Sequence, residues 1–200
     1  MGKIMLFSND VQAEIARVFS PPLDRGYANQ MSLLYLLRTD LQNQYGQEGG
    51  TPVKVKSPLL TCLGIMVGFE LLTKLWSGNH EISSSLTEDF LSKVAQVQKS
   101  KAQALVQFRH ALAHGYRLGT KRKKDNKFYS FVVDDTSNYH ECISEIDSQK
   151  FLVDIRQLKE LFLSSIEEYK RLLEADFNLQ KKFMVCLANL GDIQITNPVK

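Results

Sequence analysis

Apolar residues recur at helical spacing along most of the chain, interrupted by glycine-, proline- and serine-rich breaks. A short helix is expected from about Asp10 to Phe19, ended by Ser20-Pro21-Pro22. A second should run from about Leu23 to Tyr45, with Met31, Leu34, Leu37 and Leu41 along one side. Gly46 to Pro52 breaks the pattern, and Val53-Lys54-Val55-Lys56 reads as a brief extended connector. Ser57-Pro58 is a good helix start, because serine can cap free amides and proline is pre-set for the first turn. The helix it opens, to about Trp76, is apolar on almost every side, which places it at the centre of a bundle. Gly64 and Gly68 fit tight internal packing there. Glu70 and Lys74 either pair on one turn or leave the acid to orient an arginine elsewhere.

Ser85-Leu86-Thr87-Glu88 fits a capping box, and a long helix is expected from there to about Tyr116. Gly119 and a lysine run follow as a loop. Lys127 to Val133 and Tyr139 to Ile146 alternate well enough for a hairpin across Asp134 to Asn138. From about Ser148 the set Leu152, Ile155, Leu158, Phe162, Ile166, Tyr169 and Leu173 returns to helical spacing, continuing with a bend through Phe183 and Leu187 before a frayed end at Pro198. The expected fold is an all-α helical bundle with a small β-hairpin insertion. Residues 1–200 form one domain, in which 1–50 are an N-terminal helical extension and 117–147 a basic loop and hairpin insertion.

Two hundred residues, 44% of them hydrophobic, are enough to bury one core. The longest apolar stretch, Leu59 to Trp76, carries Glu70 and Lys74, so no membrane span is expected. The amino terminus has no cleavable apolar leader, and a cytoplasmic location follows. Cys62, Cys142 and Cys186 are too scattered for a disulfide framework or a zinc ligand set. Charge is more informative when divided along the chain. Between Gly115 and Lys127, Arg117, Lys121, Arg122, Lys123, Lys124 and Lys127 face the single acid Asp125, although the whole chain is only +3. Such a run is either a solvated loop or a contact for an anionic partner such as nucleic acid.

Candidate chemistry lies in Phe108-Arg109-His110-Ala111-Leu112-Ala113-His114-Gly115-Tyr116, which holds two of the four histidines. On a helical wheel with His110 at zero, His114 falls near 40°, while Phe90, Val94, Val97, Phe108 and Leu112 cluster near 180°. The histidines therefore point away from the core, with Gln103 and Gln107 continuing their polar stripe and Ala111 and Ala113 leaving room beside them. Arg109, near −100°, must curl round to reach His114, about 7.5 Å along the axis. An imidazole can take and return a proton, and a guanidinium can grip two phosphate oxygens. Together they suit cleavage of RNA, whose 2′-hydroxyl is an internal nucleophile needing only a base, an acid and positive charge.

Arg109-His110-Ala111-Leu112-Ala113-His114-Gly115-Tyr116 resembles the signature of the HEPN superfamily: an arginine, a polar residue, and a histidine four to six positions beyond the arginine. The resemblance is firm over about Leu86 to Arg117 and looser over the helices from Ser57 to Trp76 and after Ser148. It implies a HEPN-like helical domain and a metal-independent endoribonuclease without cofactor, acting as a toxin or antiviral effector. It further implies a homodimer in which two motifs face one cleft. Carried over by position, His114 is the acid/base residue, Arg109 the phosphate-binding residue and His110 an auxiliary polar group. Tyr116 extends the match to toxins whose nucleotidyltransferase-type antitoxin adenylylates this tyrosine, or it simply covers the helix end. Beside the motif, Arg117, Lys121, Arg122, Lys123 and Lys124 become candidate RNA contacts, and Glu70 a supporting acid.

Other chemistries fit less well. His110 and His114 lack the intervening glutamate and any third ligand of a metal site. Cys142 and His140 are only sequence neighbours, no nucleophile elbow is present, and no glycine-rich phosphate loop appears. The serious alternative is a non-catalytic RNA-binding or partner-docking subunit. Such a subunit would need the cations but no titrating His114.

Overall fold

The computed structural model describes residues 8–19, 30–31, 33–44, 47–48, 51–52, 55, 57–136, 139–190 and 193–194. Along them run α1 (Ser8–Phe19), β1 (Gln30–Met31), α2 (Leu33–Gln44), β2 (Gln47–Glu48), β3 (Thr51–Pro52), α3 (Pro58–Ser77), α4 (Ser84–Lys93) and α5 (Lys99–Gly115). Then follow β4 (Gly119–Lys121), β5 (Phe128–Asp134), β6 (Ile143–Asp147), β7 (Lys150–Asp154), α6 (Ile155–Ala175), α7 (Phe177–Leu190) and β8 (Ile193–Gln194). An all-α bundle with a small hairpin is therefore not the fold. Seven described helices share the chain with a four-stranded mixed sheet, and the architecture is mixed α/β.

Pro58 occupies the first turn of α3, and Gly78 ends the helix in the left-handed region at φ 77°, its N–H donating to the Lys74 carbonyl at 2.9 Å. Ser57 makes no side-chain cap bond, so the proline alone marks the start. By length and composition α3 could cross a membrane, but half of that stretch is buried inside the protein. It contacts α2, α4, α5, α6 and α7, with Cys62, Ile65, Met66, Phe69 and Leu72 fully enclosed. Gly68 permits the closest of these approaches. A Cβ there would stand 2.5 Å from the Phe162 ring on α6 and 2.7 Å from Leu37 on α2. Gly64 meets Leu37 only at ordinary contact distance. Phe162 in turn packs edge-on against Phe69, and Phe19 of α1 packs against Tyr169 and Phe183.

The long helix expected from Ser85 to Tyr116 is two helices. Ser83, not Ser85, caps α4, its Oγ accepting the Leu86 N–H at 3.3 Å, and Ser85 Oγ lies 2.9 Å from Ser83 Oγ. Gln96, at φ 56°, turns the chain between α4 and α5. Val94 is buried and Ala95 and Val97 pack on the core, so the apolar pattern runs unbroken through a turn that is not helical. Similarly, Asp176 separates α6 from α7 where a bend was expected. Gln30 and Met31 are extended and pair with Gln194 and Ile193, so the second helix begins only at Leu33. The expected stop at Ser20-Pro21-Pro22, the helix start over residues 23–29, most of the connector at 53–56 and the end at Pro198 lie outside the described residues.

The sheet order is β4-β5-β7-β6. β5 and β6 do not form the expected hairpin, because β7 lies between them, parallel to β5 and antiparallel to β6. Three consecutive buried apolar residues, Phe151, Leu152 and Val153, make β7 an inner strand, although Leu152 fits the helical spacing of the segment that follows. Asp154 ends the strand and caps α6, its Oδ1 accepting the Gln157 N–H at 2.9 Å. The tight hairpin is β6–β7, where Asp147 Oδ1 accepts the N–H groups of Gln149 and Lys150. β4 pairs with β5, so the basic run is the turn of a second hairpin rather than a free loop. α5 packs on one face of the sheet, with the Phe108 and Phe131 rings 5.0 Å apart.

Candidate functional site at the end of α5

α5 buries Leu105, Phe108, Ala111 and Leu112 and leaves Ala113 and His114 exposed, as a stripe opposite a core face must. Gln107 departs from the expected polar stripe: it is only 5% exposed. Arg109 and His110 are half-buried between α3 and α4.

Arg109 turns to Glu70 on α3 rather than curling along its own helix toward His114. Its Nε stands 2.6 Å from Glu70 Oε1, and its Nη2 donates to Oε2 at 2.8 Å. Only Nη2 forms a hydrogen bond, Nε lying at ion-pair distance without one, so Glu70 holds the guanidinium by one hydrogen bond and by charge, out of five N–H donors. The remaining donors are available to a second anion. Of the two sequence readings of Glu70, pairing with Lys74 or orienting an arginine, the geometry has the second.

His110 Nε2 lies 3.0 Å from Ser84 Oγ at the start of α4, and its ring stacks on that of His114, with centroids 5.7 Å apart and planes 13° off parallel. Burial pushes the His110 imidazole below its ordinary range. Nearby Arg109 and His114 push the same way, and Glu70 opposes them. His110 is thus mainly neutral at neutral pH, leaving Arg109 as the fixed positive charge. The shift has a consequence for stability. The unfolded chain binds a proton near the free imidazole pKa of about 6.5 while the native state resists it, so stability falls as pH drops through that value. His110→Asn is expected to flatten this part of the profile, checked by denaturant midpoints at neutral and mildly acidic pH. A wild type that loses no more stability on acidification than the variant would contradict it.

The pocket into which Arg109 and His110 face, about 260 Å³, is also lined by Glu70, Lys74, His80 and Ser84. Sequence reasoning missed Ser84 and His80. Ser84 lies one residue past the true cap and His80 in a turn, and nothing in their spacing links either to α5.

Tyr116 ends α5 in the left-handed region, φ 46°, with its N–H on the Leu112 carbonyl at 2.9 Å and its side chain 56% exposed. Beyond it, Arg117, Lys121, Lys123 and Lys124 are exposed. Arg122 is the exception among the candidate RNA contacts. Its Nε and Nη2 hold Asp125, which keeps that carboxyl well below the usual range, and its guanidinium lies over the Tyr129 ring. At the other cysteine–histidine neighbourhood, burial pushes the Cys142 thiol up to about 11, the opposite of an activated nucleophile. Among the described residues, no three His, Cys, Asp or Glu side chains gather as a metal site would require. In comparisons with protein-family models, curated proteins and solved structures, nothing matches this chain.

Proposed function

We propose that this chain is a metal-independent endoribonuclease with a HEPN-type active site, acting as a toxin or antiviral effector. The observation that carries the proposal is Arg109, locked by Glu70 with donors to spare, on the same helix as an exposed His114 stacked on His110. In the reaction, His114 takes the proton of the 2′-hydroxyl, whose oxygen attacks the adjacent phosphorus. The 5′-oxygen then leaves with a proton from a second acid, and the product keeps a 2′,3′-cyclic phosphate. Arg109 meets the charge that develops on the phosphoryl oxygens. His110, neutral and tied to Ser84, braces the His114 ring. A homodimer supplies a second His114 as that acid, since one motif has only one exposed imidazole. Arg117, Lys121, Lys123 and Lys124 attract the RNA backbone. In a toxin setting, exposed Tyr116 is the residue a nucleotidyltransferase-type antitoxin would adenylylate.

Expression of the wild type in a bacterial host should arrest growth, and Arg109→Ala or His114→Ala should each relieve the arrest at equal protein level. Unchanged toxicity in both variants would contradict the assignment.

A further inference from the structure

Cross-strand partners share a face of a sheet, so the strand registers define the surface that α5 does not cover. On β4 and β5 that surface carries Lys121 opposite Phe128 and Gly119 opposite Ser130. From β5 to β7 it continues as Ser130 opposite Lys150, and beyond them Val132 faces Leu152, which is buried. The other face holds Tyr129, Phe131, Phe151 and Val153, all buried. Phe128 is unusual for a solvent-facing strand position: it is 44% exposed, and Val132 behind it is 37% exposed. Its ring leans diagonally over Gly119, where an added Cβ would lie 3.3 Å from the ring's Cζ. The tip of the ring, Cζ and Cε2, approaches that glycine, and the side chain stays nearly half exposed. Lys121 and Lys150 flank it, both exposed. Of the acids on this face, Asp154 is buried and Asp134 accepts from Thr136, while Asp147, the cross-strand partner of Lys150, accepts the turn N–H groups of Gln149 and Lys150.

We infer that this face is a binding platform for single-stranded RNA, with one unstacked base on Phe128 and its neighbouring phosphates on Lys121 and Lys150. An aromatic ring between lysines fits a base between phosphates, and every base offers a face to stack. Only four residues of chain, a span of at most about 18 Å, join His114 to Gly119, so a bound strand needs to cross no more than that distance to pass from the platform to the motif. It rests on the ribonuclease reading in that the strand held here is the one whose phosphate reaches Arg109.

The test is fluorescence anisotropy with a short, labelled 2′-O-methyl oligouridine, which has no 2′-hydroxyl to attack and cannot be cut. Phe128→Ala is expected to weaken binding by roughly 5- to 160-fold, the range of one base stacked on an aromatic side chain. Phe128→Trp should retain affinity, and Gly119→Val should lose it by displacing the ring. Lys121→Gln with Lys150→Gln should weaken binding and make it less dependent on salt, a second route should Phe128→Ala fail to fold. Oligouridine affinity unchanged in Phe128→Ala and in the lysine variant would overturn the platform, as would binding of an RNA duplex just as tightly. So would sedimentation in which Phe128→Ala merely turns a dimer into a monomer, which assigns the face to a second copy. The two proposals fail separately. Cleavage of unmodified RNA with Phe128 irrelevant to binding removes the platform alone, whereas Phe128-dependent binding without cleavage removes the nuclease alone.

Discussion

If the chain is the proposed ribonuclease, Arg109→Ala is expected to lower RNA cleavage by about 10²- to 10³-fold, the usual loss when one preorganised donor to a developing negative charge is removed. The neighbouring His110 cannot take its place, since burial, the main cause of its lowered pKa, still disfavours a charged ring there when Arg109 is gone. Arg109→Lys restores charge but not the planar group whose Nη2 donates to Glu70 while further donors stay free, and is expected to recover only part of the rate. Single-turnover cleavage of a labelled RNA at saturating enzyme separates this loss from weakened binding. A lysine variant as fast as wild type would mean that only a diffuse positive charge is needed there.

Glu70→Ala should have the largest effect on stability of any site substitution. The pair is about one-fifth to one-quarter exposed, with side-chain exposures of 24% for Arg109 and 20% for Glu70. Removing the acid strands a mostly buried guanidinium, at a cost of about 2 kcal/mol once partial solvent screening is allowed for. For a chain of this size that lowers the thermal midpoint by about 4–8 °C. Arg109→Ala in the Glu70→Ala background should cost little more, because the stranded charge is gone. Glu70 is a positioning residue, so Glu70→Gln, which can still accept from Nη2, should lower kcat more than it raises KM. A stability change with kcat untouched would reduce Glu70 to a structural role.

The parts of this picture legible in the sequence are those where spacing alone decides burial. α5 and its outward His114 follow from one apolar face repeated every turn, and α3 from an uninterrupted apolar run behind Pro58. The break at Gln96 was hidden because Val94, Ala95 and Val97 are as apolar in a turn as they would be in a helix. The sheet was misread for a related reason: Leu152 satisfies helical spacing toward Ile155 and also belongs to a buried strand, and only the adjacent Phe151 and Val153 distinguish the two. Pairing β5 with β7 skips over β6, and no local pattern encodes such a skip. The contact between Glu70 and Arg109, 39 positions apart, was legible only as an acid on a buried helix that needed a cation. Ser84 on His110 and the seat of Phe128 on Gly119 depend on packing between elements and left no trace in spacing.

The measurement that tests the central claim most directly is incubation of purified protein with total and transfer RNA in excess EDTA, beside His114→Ala, with analysis of the fragment ends. The account predicts cleavage that survives chelation, leaves 2′,3′-cyclic phosphates and disappears in the variant. Intact RNA in both reactions, with RNA still bound by both proteins, would contradict it and make the chain a binding subunit.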